Sequence, residues 1–140
     1  MSLVEASVAL PTGVTLNVQT GGARGAEAKA ARNAATEALT TLRDATEALL
    51  RMHGEQPALA LAVAVPYLKL CGVAISGALM ARAAAVAEAA LANAAGDEFY
   101  RAKLLTCRFY AQQVLPEALG LARVVKDGAA SVAEAPAELI

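Results

Sequence analysis

The stretch PYLKLCGVAISGALMARAA, residues 66–84, decides how the chain folds. Between Lys69 and Arg82 it runs for 12 residues without a charge. A membrane-spanning helix needs about 20 predominantly apolar residues. Pro66 and Lys69 separate this run from the apolar PALALAVAV upstream. We therefore predict the central helix of a soluble bundle and no membrane span.

Small or apolar residues recur along this region at alternating three- and four-residue steps, which is the spacing of one helix face. The other positions are nearly as apolar, so we expect other helices to surround this one. Gly72 and Gly77 lack a Cβ and are expected to let a neighbouring backbone approach closely. A small-molecule groove is the alternative to a packed core. The series consists of Leu70, Val73, Gly77, Met80, Ala84, Ala87 and Leu91.

Two amphipathic segments flank this helix, at about residues 24–53 and 97–127. Their apolar positions average 3.5 residues apart, which favours neighbours that cross at a shallow angle. Proline removes a backbone donor and bends or breaks a helix. The sequence predicts an all-α fold, an antiparallel three- to four-helix up-and-down bundle with kinks near Pro66 and Pro116. The apolar positions are Ala28, Ala31, Ala35, Ala38, Leu42, Ala45, Leu49 and Met52 in the first segment, and Tyr100, Leu104, Cys107, Ala111, Val114, Ala118, Leu121 and Val125 in the second.

The 140 residues are expected to form one domain with a short segment at each end. Residues 1–23 are predicted to be an N-terminal arm or linker with a strand-like piece, VTLNVQT. Residues 24–128 are the bundle, with helices at about 24–53, 57–94 (broken near 66) and 97–127. Residues 129–140 are a C-terminal tail that we expect to fray.

Four residues are predicted to mark helix ends within the bundle. Gly54 suits the left-handed position beyond a helix C-terminus, and Pro57 suits the first turn of the next helix. Asp97 is a predicted N-cap after a break at Gly96.

Composition narrows the class of protein. The hydrophobic fraction is 57 % and the mean hydropathy +0.46, but 37 residues are alanine, which indicates tightly packed helices. Lys and Arg (12) nearly balance Asp and Glu (13), so nucleic acid is not a predicted partner. Cys71 and Cys107 fall within helical patterns, and no signal peptide is recognisable. Both are expected to be reduced, buried thiols in a cytoplasmic protein.

No residue stands out as catalytic, cofactor-binding or metal-binding. The single histidine, His53, has no partner ligands at helical spacing and is expected at a helix end. Cys71 and Cys107 lie among apolar neighbours, where a thiol is usually inert packing. Four glutamates are candidate general bases, but a solvated or ion-paired role is favoured for each. They are Glu55, Glu88, Glu98 and Glu117.

Two stretches carry a family resemblance: VPYLKLCGVAISGALMARAA, residues 65–84, and FYRAKLLTCRFYAQQVLPEALGLARVV, residues 99–125. Both resemble the additional C-terminal helical region of the acyl-CoA dehydrogenases in the methylthiopropionyl-CoA dehydrogenase-like branch, an acetyl-CoA dehydrogenase C-terminal-like domain. The similarity covers about residues 57–125, with 24–53 compatible. It rests on Tyr67-Leu68, Gly72, Ala81-Arg82-Ala83, Ala102-Lys103, Arg108-Phe109-Tyr110-Ala111 and Val114-Leu115-Pro116-Glu117.

The resemblance implies a parent enzyme that uses FAD to remove hydrogens from the α and β carbons of an acyl-CoA thioester, as in fatty acid metabolism. The family's glutamate base and its flavin contacts lie upstream of the matched region. No catalytic residue is therefore transferred to this chain, and no bound FAD is expected. The implied partners are the remainder of the dehydrogenase subunit and further copies in a homo-oligomer.

Two other hypotheses compete with this one. The chain could be a stand-alone, noncatalytic helical dimerisation module that associates through alanine-rich faces. A membrane-associated helical protein is the third reading, and it predicts partition into detergent.

Overall fold

A computed structural model describes residues 5–9, 15–19, 25–93, 97–136 and 138. Within this part of the chain two strands precede a set of helices, and the helices confirm the predicted all-α class. A π-helical turn, Tyr110–Val114, joins α4 to α5. The elements are β1 (Glu5–Ala9), β2 (Thr15–Gln19), α1 (Ala26–Glu55), α2 (Pro57–Ala62), α3 (Ala64–Asn93), α4 (Glu98–Phe109), α5 (Glu117–Asp127) and α6 (Ala129–Ala133).

The N-terminal segment contains a β-hairpin rather than one strand-like piece. β1 pairs antiparallel with β2, with Glu5 opposite Gln19 and Ser7 opposite Asn17. The backbone of β1 lies against α1 and that of β2 against α3. β-Branched residues in VTLNVQT indicated β2, whereas β1 was not predicted. The pairing explains how a short strand is stabilised, since an isolated one is not.

The first long helix, α1, ends at Glu55, two residues beyond the predicted end at His53. Gly54 remains helical, and α1 continues to Glu55. Gln56 then adopts an extended conformation, with φ −149° and ψ 94°, and Pro57 occupies the first turn of α2. The helical region is sterically disfavoured for the residue before a proline. Pro57 therefore ends α1 through the residue that precedes it, and Gly54 does not act as a left-handed cap.

The break in the second helical region lies at Val63 and not at Pro66. Val63 has φ −111° and ψ 11°, and α3 begins at the next residue. Pro66 consequently lies in the first turn of α3, where backbone amides have no intrahelical acceptor and a missing donor costs little. The regular ladder starts with the Tyr67 amide, which donates to the Val63 carbonyl at 3.0 Å.

Asp97 caps α4, as predicted. Its carboxylate accepts a hydrogen bond from the Phe99 amide at 2.9 Å. The predicted break at Gly96 lies outside the described residues, which omit 94–96. Capping of this kind satisfies one of the amides that a helix start leaves unpaired.

A π turn occupies the segment where the sequence predicts a bend. The Leu115 amide donates to the Tyr110 carbonyl five residues earlier, at 3.0 Å. Pro116 follows directly, and in a regular α-helix its ring would clash with the carbonyl of Gln112. The π turn ends just before Pro116, so the regular α-helical ladder is already interrupted where the proline lacks a donor.

The core consists of two clusters along α3. α1 packs along α3, and α3 also contacts α4 and α5. One cluster contains the large buried side chains Leu39, Leu42, Val63, Leu70, Leu115 and Val125 with alanines between them. The other is built from Ala28, Ala31, Ala35, Ala81, Ala84 and Cys107.

The C-terminal segment, predicted to fray, contains helix α6. Ala129 is buried against the larger cluster, and α6 contacts α2. The described chain continues to residue 136, and 138 is also described.

Candidate functional site: the outer face of α3

The two faces of α3 differ in the size of their side chains. The inner face, which packs against α1, α4 and α5, is made almost entirely of small residues. Alanine and glycine there let the helix backbones approach closely. The buried positions are Leu70, Ala74, Gly77, Ala78, Ala81, Ala84 and Ala87.

The outer face carries bulky apolar side chains that the described chain leaves uncovered. Val65 is 78 % exposed, Leu68 72 % and Leu79 60 %. With Gly72, Ile75, Arg82 and Val86 these positions follow strict three- and four-residue steps, the 3.5-residue period of a helix that packs against another helix. We define the outer face as Val65, Leu68, Gly72, Ile75, Leu79, Arg82 and Val86.

By length and composition alone, α3 could cross a membrane, the one helix among the described residues that could. The core helix of a soluble protein meets the same criterion. The observation therefore has little weight by itself.

An open groove of about 310 Å³ lies beside the outer face, between α3 and α4. Its wall is apolar, and two cations border it. Lys103 Nζ lies 5.8 Å from the centre of the Phe99 ring. Among the salt bridges of the described residues, none involves Arg82 or Lys103. The lining residues are Leu79, Arg82, Ala83, Val86, Ala87, Phe99, Tyr100 and Lys103.

Several of the residues behind the family resemblance connect helices to one another. Arg108 pairs with Glu27 of α1 at 3.1 Å. The Tyr110 hydroxyl donates to the Val73 carbonyl of α3 at 3.1 Å.

Leu115 and Glu117 continue this set of contacts. Leu115 packs so closely on Gly77 that a Cβ there would collide with it. Glu117 lies 3.6 Å from Lys69 Nζ, with both side chains about half exposed or more. The segment RFYAQQVLPEA therefore fixes α4, the π turn and α5 onto α1 and α3.

Glu88 is placed in a structural role. Its carboxylate accepts hydrogen bonds from the Gly25 amide at 2.9 Å and the Ala28 amide at 3.0 Å. These amides belong to the start of α1, where Gly25 offers no side chain of its own as a cap. A Cβ on Gly25 would collide with the carboxylate. Glu88 thus replaces the missing N-cap from 63 residues away.

The other predicted candidates are scattered. His53 and Glu55 are exposed near the end of α1, and Glu98 is exposed in the first turn of α4. Glu117 is paired with Lys69. No group of three or more metal-ligating side chains occurs in the described part of the chain.

Both cysteines are free thiols in environments that suppress ionisation. Cys71 is half-buried and Cys107 is buried. Burial raises the pKa of each thiol, and for Cys107 the nearby Lys103 partly offsets this effect. Because the thiolate is the nucleophile, a raised pKa opposes a catalytic role.

A polar contact lies one helical turn before Cys71. The Thr46 and Tyr67 hydroxyl oxygens are 2.9 Å apart, and Thr46 also donates to the Leu42 carbonyl at 2.8 Å. Burial raises the pKa of Tyr67, and the Thr46 hydrogen bond partly counteracts this. No side-chain signal in the sequence alone pointed to the Thr46–Tyr67 contact.

The described residues do not fit a whole FAD molecule. Pockets that enclose cofactors and drug-sized ligands are concave, about 300–1,000 Å³, and bury most of the ligand. The groove beside α4 is at the lower limit of that size and open, and the cavity lined by Ala34, Glu37, Leu115 and Pro116 is about 110 Å³. No step of flavin chemistry is therefore assigned to these residues.

Comparison with known proteins supplies the family. The family described as "Acetyl-CoA dehydrogenase C-terminal like" matches residues 4–136, so its region includes the N-terminal hairpin that the resemblance did not reach. A 3-methylmercaptopropionyl-CoA dehydrogenase from Ruegeria pomeroyi is 37 % identical over 93 residues, which is 66 % of this chain and 16 % of that protein. The match thus spans about one sixth of the relative. No solved structure gave a significant match.

The family match covers residues 4–136, nearly the whole chain. The chain belongs to the acetyl-CoA dehydrogenase C-terminal-like family.

Proposed function

We propose that this chain is the C-terminal helical module of an FAD-dependent acyl-CoA dehydrogenase. The full enzyme would carry out α,β-dehydrogenation of an acyl-CoA thioester in the cytoplasm. The module itself would serve subunit packing or capping of the acyl pocket. FAD, acyl-CoA and the catalytic base would then belong to the remainder of the subunit.

One observation carries the proposal: the family match covers residues 4–136, nearly all of the chain. Arg108, Tyr110 and Leu115 each contact another helix of the bundle. Side chains engaged in such contacts within the bundle fit a packing module better than a reaction centre.

The bundle arrangement belongs to the same proposal. An up-and-down order of α1, α3 and the α4–α5 unit is supported by the contacts of α3 with each of them. The π turn before Pro116 supports a bend in the last long segment.

The test removes the module from a full-length parent enzyme. We expect the truncated enzyme to keep stoichiometric FAD, because the flavin contacts lie outside the module. Loss of subunit assembly with an unchanged KM would favour packing, and a raised KM for long acyl chains with assembly intact would favour capping.

The isolated 140-residue chain gives the reciprocal measurement. We expect no flavin absorbance after purification with added FAD. Stoichiometric bound FAD would contradict the proposal, as would a truncated parent with unchanged assembly, KM and kcat.

A further inference from the structure

The open groove between α3 and α4 combines an apolar wall with two cations. Among the described residues that line it, Arg82 and Lys103 are charged, none is acidic, and the others are apolar or aromatic. We propose that this groove binds a small amphipathic carboxylate, a fatty acid anion of medium chain length, with its head group at the cations and its alkyl chain along the wall. The inference goes beyond the packing or capping role and does not depend on it.

Each wall of the groove supplies one cation that lacks an acidic partner within the described part of the chain. The salt bridges found there do not include Arg82 or Lys103. Lys103 Nζ instead lies 5.8 Å from the centre of the Phe99 ring, a weaker partner for an ammonium group than a carboxylate is. Glu88, the acid closest in sequence to this part of α3, directs its carboxylate to the start of α1. The positive charge at the groove is therefore uncompensated and favours an anion.

The apolar wall determines the rest of the ligand. Leu79, Val86 and Phe99 are each more than half exposed. Along α3 the lining runs from Leu79 to Ala87, about 12 Å at the rise of an α-helix. The groove has a volume of about 310 Å³, at the lower end of the range for small-ligand sites. An alkyl chain of medium length matches these dimensions, and covering the exposed apolar side chains is favourable in proportion to the area removed from water.

Charge and size together favour this class of ligand over the alternatives. A neutral lipid would leave both cations without a counter-ion, and a small inorganic anion would leave the apolar wall in water. An acidic segment of another protein would need contacts far beyond the groove, since a standard interface covers about 800 Å² per partner. A fatty acid anion complements the cations and the wall within the dimensions of the groove. The long stems of Arg82 and Lys103 can lie along apolar surface while their charged ends reach the carboxylate.

Calorimetric titration of the full 140-residue chain with sodium decanoate, kept below the concentration at which it forms micelles, tests the proposal. We expect saturable binding of one decanoate per chain. Decanol has the same alkyl chain without the charge, and acetate has the same head group without the chain. Each should bind at least roughly 10-fold more weakly than decanoate, because each lacks one of the two features that the groove recognises.

Substitutions locate the ligand in the groove. Arg82→Gln and Lys103→Gln should each raise the Kd for decanoate roughly 5-fold or more and leave that for decanol unchanged. Arg101→Gln is the matched control, since Arg101 is an exposed cation of α4 outside the groove lining, and it should bind decanoate normally. Phe99→Ala should weaken the binding of decanoate and decanol alike. Thermal melts should show that all four variants fold.

Three outcomes would overturn the proposal. Absence of decanoate binding would leave the groove to a protein surface. Equal affinity for decanol and decanoate would show that the cations have no part in recognition. Equal effects of Arg101→Gln and the two groove variants would show a response to overall charge and not to this site. None of these measurements involves FAD or a parent enzyme, so failure of the dehydrogenase assignment would leave their outcome unaffected.

Discussion

The inner and outer faces of α3 are both apolar, yet they are built from different residues. Ala74, Ala78 and Ala81 lie inside, whereas Leu68 and Leu79 lie outside. In most soluble helices the larger apolar side chains mark the buried face. Here the bundle buries the small ones, because its helices lie close together around α3. Hydrophobicity alone therefore does not show which face of α3 is buried. The size of the apolar side chains does, because the small ones lie inside and the large ones outside.

The largest expected effect comes from comparing two leucines on opposite faces. Leu70→Ala removes a fully buried side chain and should lower the free energy of unfolding by about 3 kcal/mol. Leu68→Ala should change it by less than about 0.5 kcal/mol in the monomer, since Leu68 is 72 % exposed. Urea unfolding at concentrations too low for association measures both. Equal losses would show that the two faces are not distinguished as described.

The two glycines of α3 sharpen the comparison. Gly72→Ala should raise the free energy of unfolding of the monomer by about 0.5–1 kcal/mol, because alanine is the better helix former and its Cβ meets no atom. Gly77→Ala gains the same propensity but collides with Leu115, so we expect a net loss of about 1 kcal/mol. Denaturation of the pair under identical conditions measures the difference. A Gly77→Ala variant as stable as Gly72→Ala would contradict the close packing of Leu115.

Substitution of Glu88 tests its polar contact with the start of α1. Glu88→Ala should lower the free energy of unfolding by about 1–2 kcal/mol, the cost of losing a helix cap. Glu47→Ala, an exposed position in the middle of α1, is the control and should have little effect. Gly25→Ala should destabilise the chain when Glu88 is present and much less when it is alanine. Additive effects in this double-mutant cycle would refute direct contact.

The smallest effect concerns the boundary between the faces, where Tyr67 and Cys71 lie. Burial raises the pKa of both groups, so the folded chain holds their protons at pH values where the unfolded chain has lost them. The free energy of unfolding should therefore be unaffected near pH 7 and fall as the pH rises through the ordinary range of these groups. Urea titrations across alkaline pH measure the slope, which Cys71→Ala should reduce. A slope unchanged by that variant would exclude a contribution from Cys71.

The local sequence was sufficient to predict the all-α fold and the N-cap at Asp97, because both depend on residues close in sequence. The sequence predicted a helix break near Pro66, whereas the break lies at Val63. A proline near a helix start is compatible with helical geometry. β1 was missed because a strand is stabilised by a partner that sequence spacing alone does not identify. The prediction that Gly54 lies in a left-handed position beyond the helix end was wrong, because a glycine permits that conformation without requiring it.

The site was less predictable than the fold. Nearly every residue of α3 is apolar, so several of its faces show apolar residues at three- and four-residue steps. The sequence therefore could not distinguish the uncovered outer face from the buried one. The role of Glu88 depends on a contact across 60 residues or more, and a lone glutamate in a helix carries no sign of it. The motif around Tyr110 was recognised, and only its contacts with Val73 and Gly77 explain what it does.

The contact between Glu88 and Gly25 has a consequence for the order in which the chain folds. An isolated helix start without a cap is prone to fray, and forming the first turn is the costly step of helix growth. The first turn of α1 receives its acceptor from near the end of α3, which during synthesis emerges long after it. The N-terminal end of α1 should thus become protected from amide exchange together with the second half of α3, as one late cooperative unit.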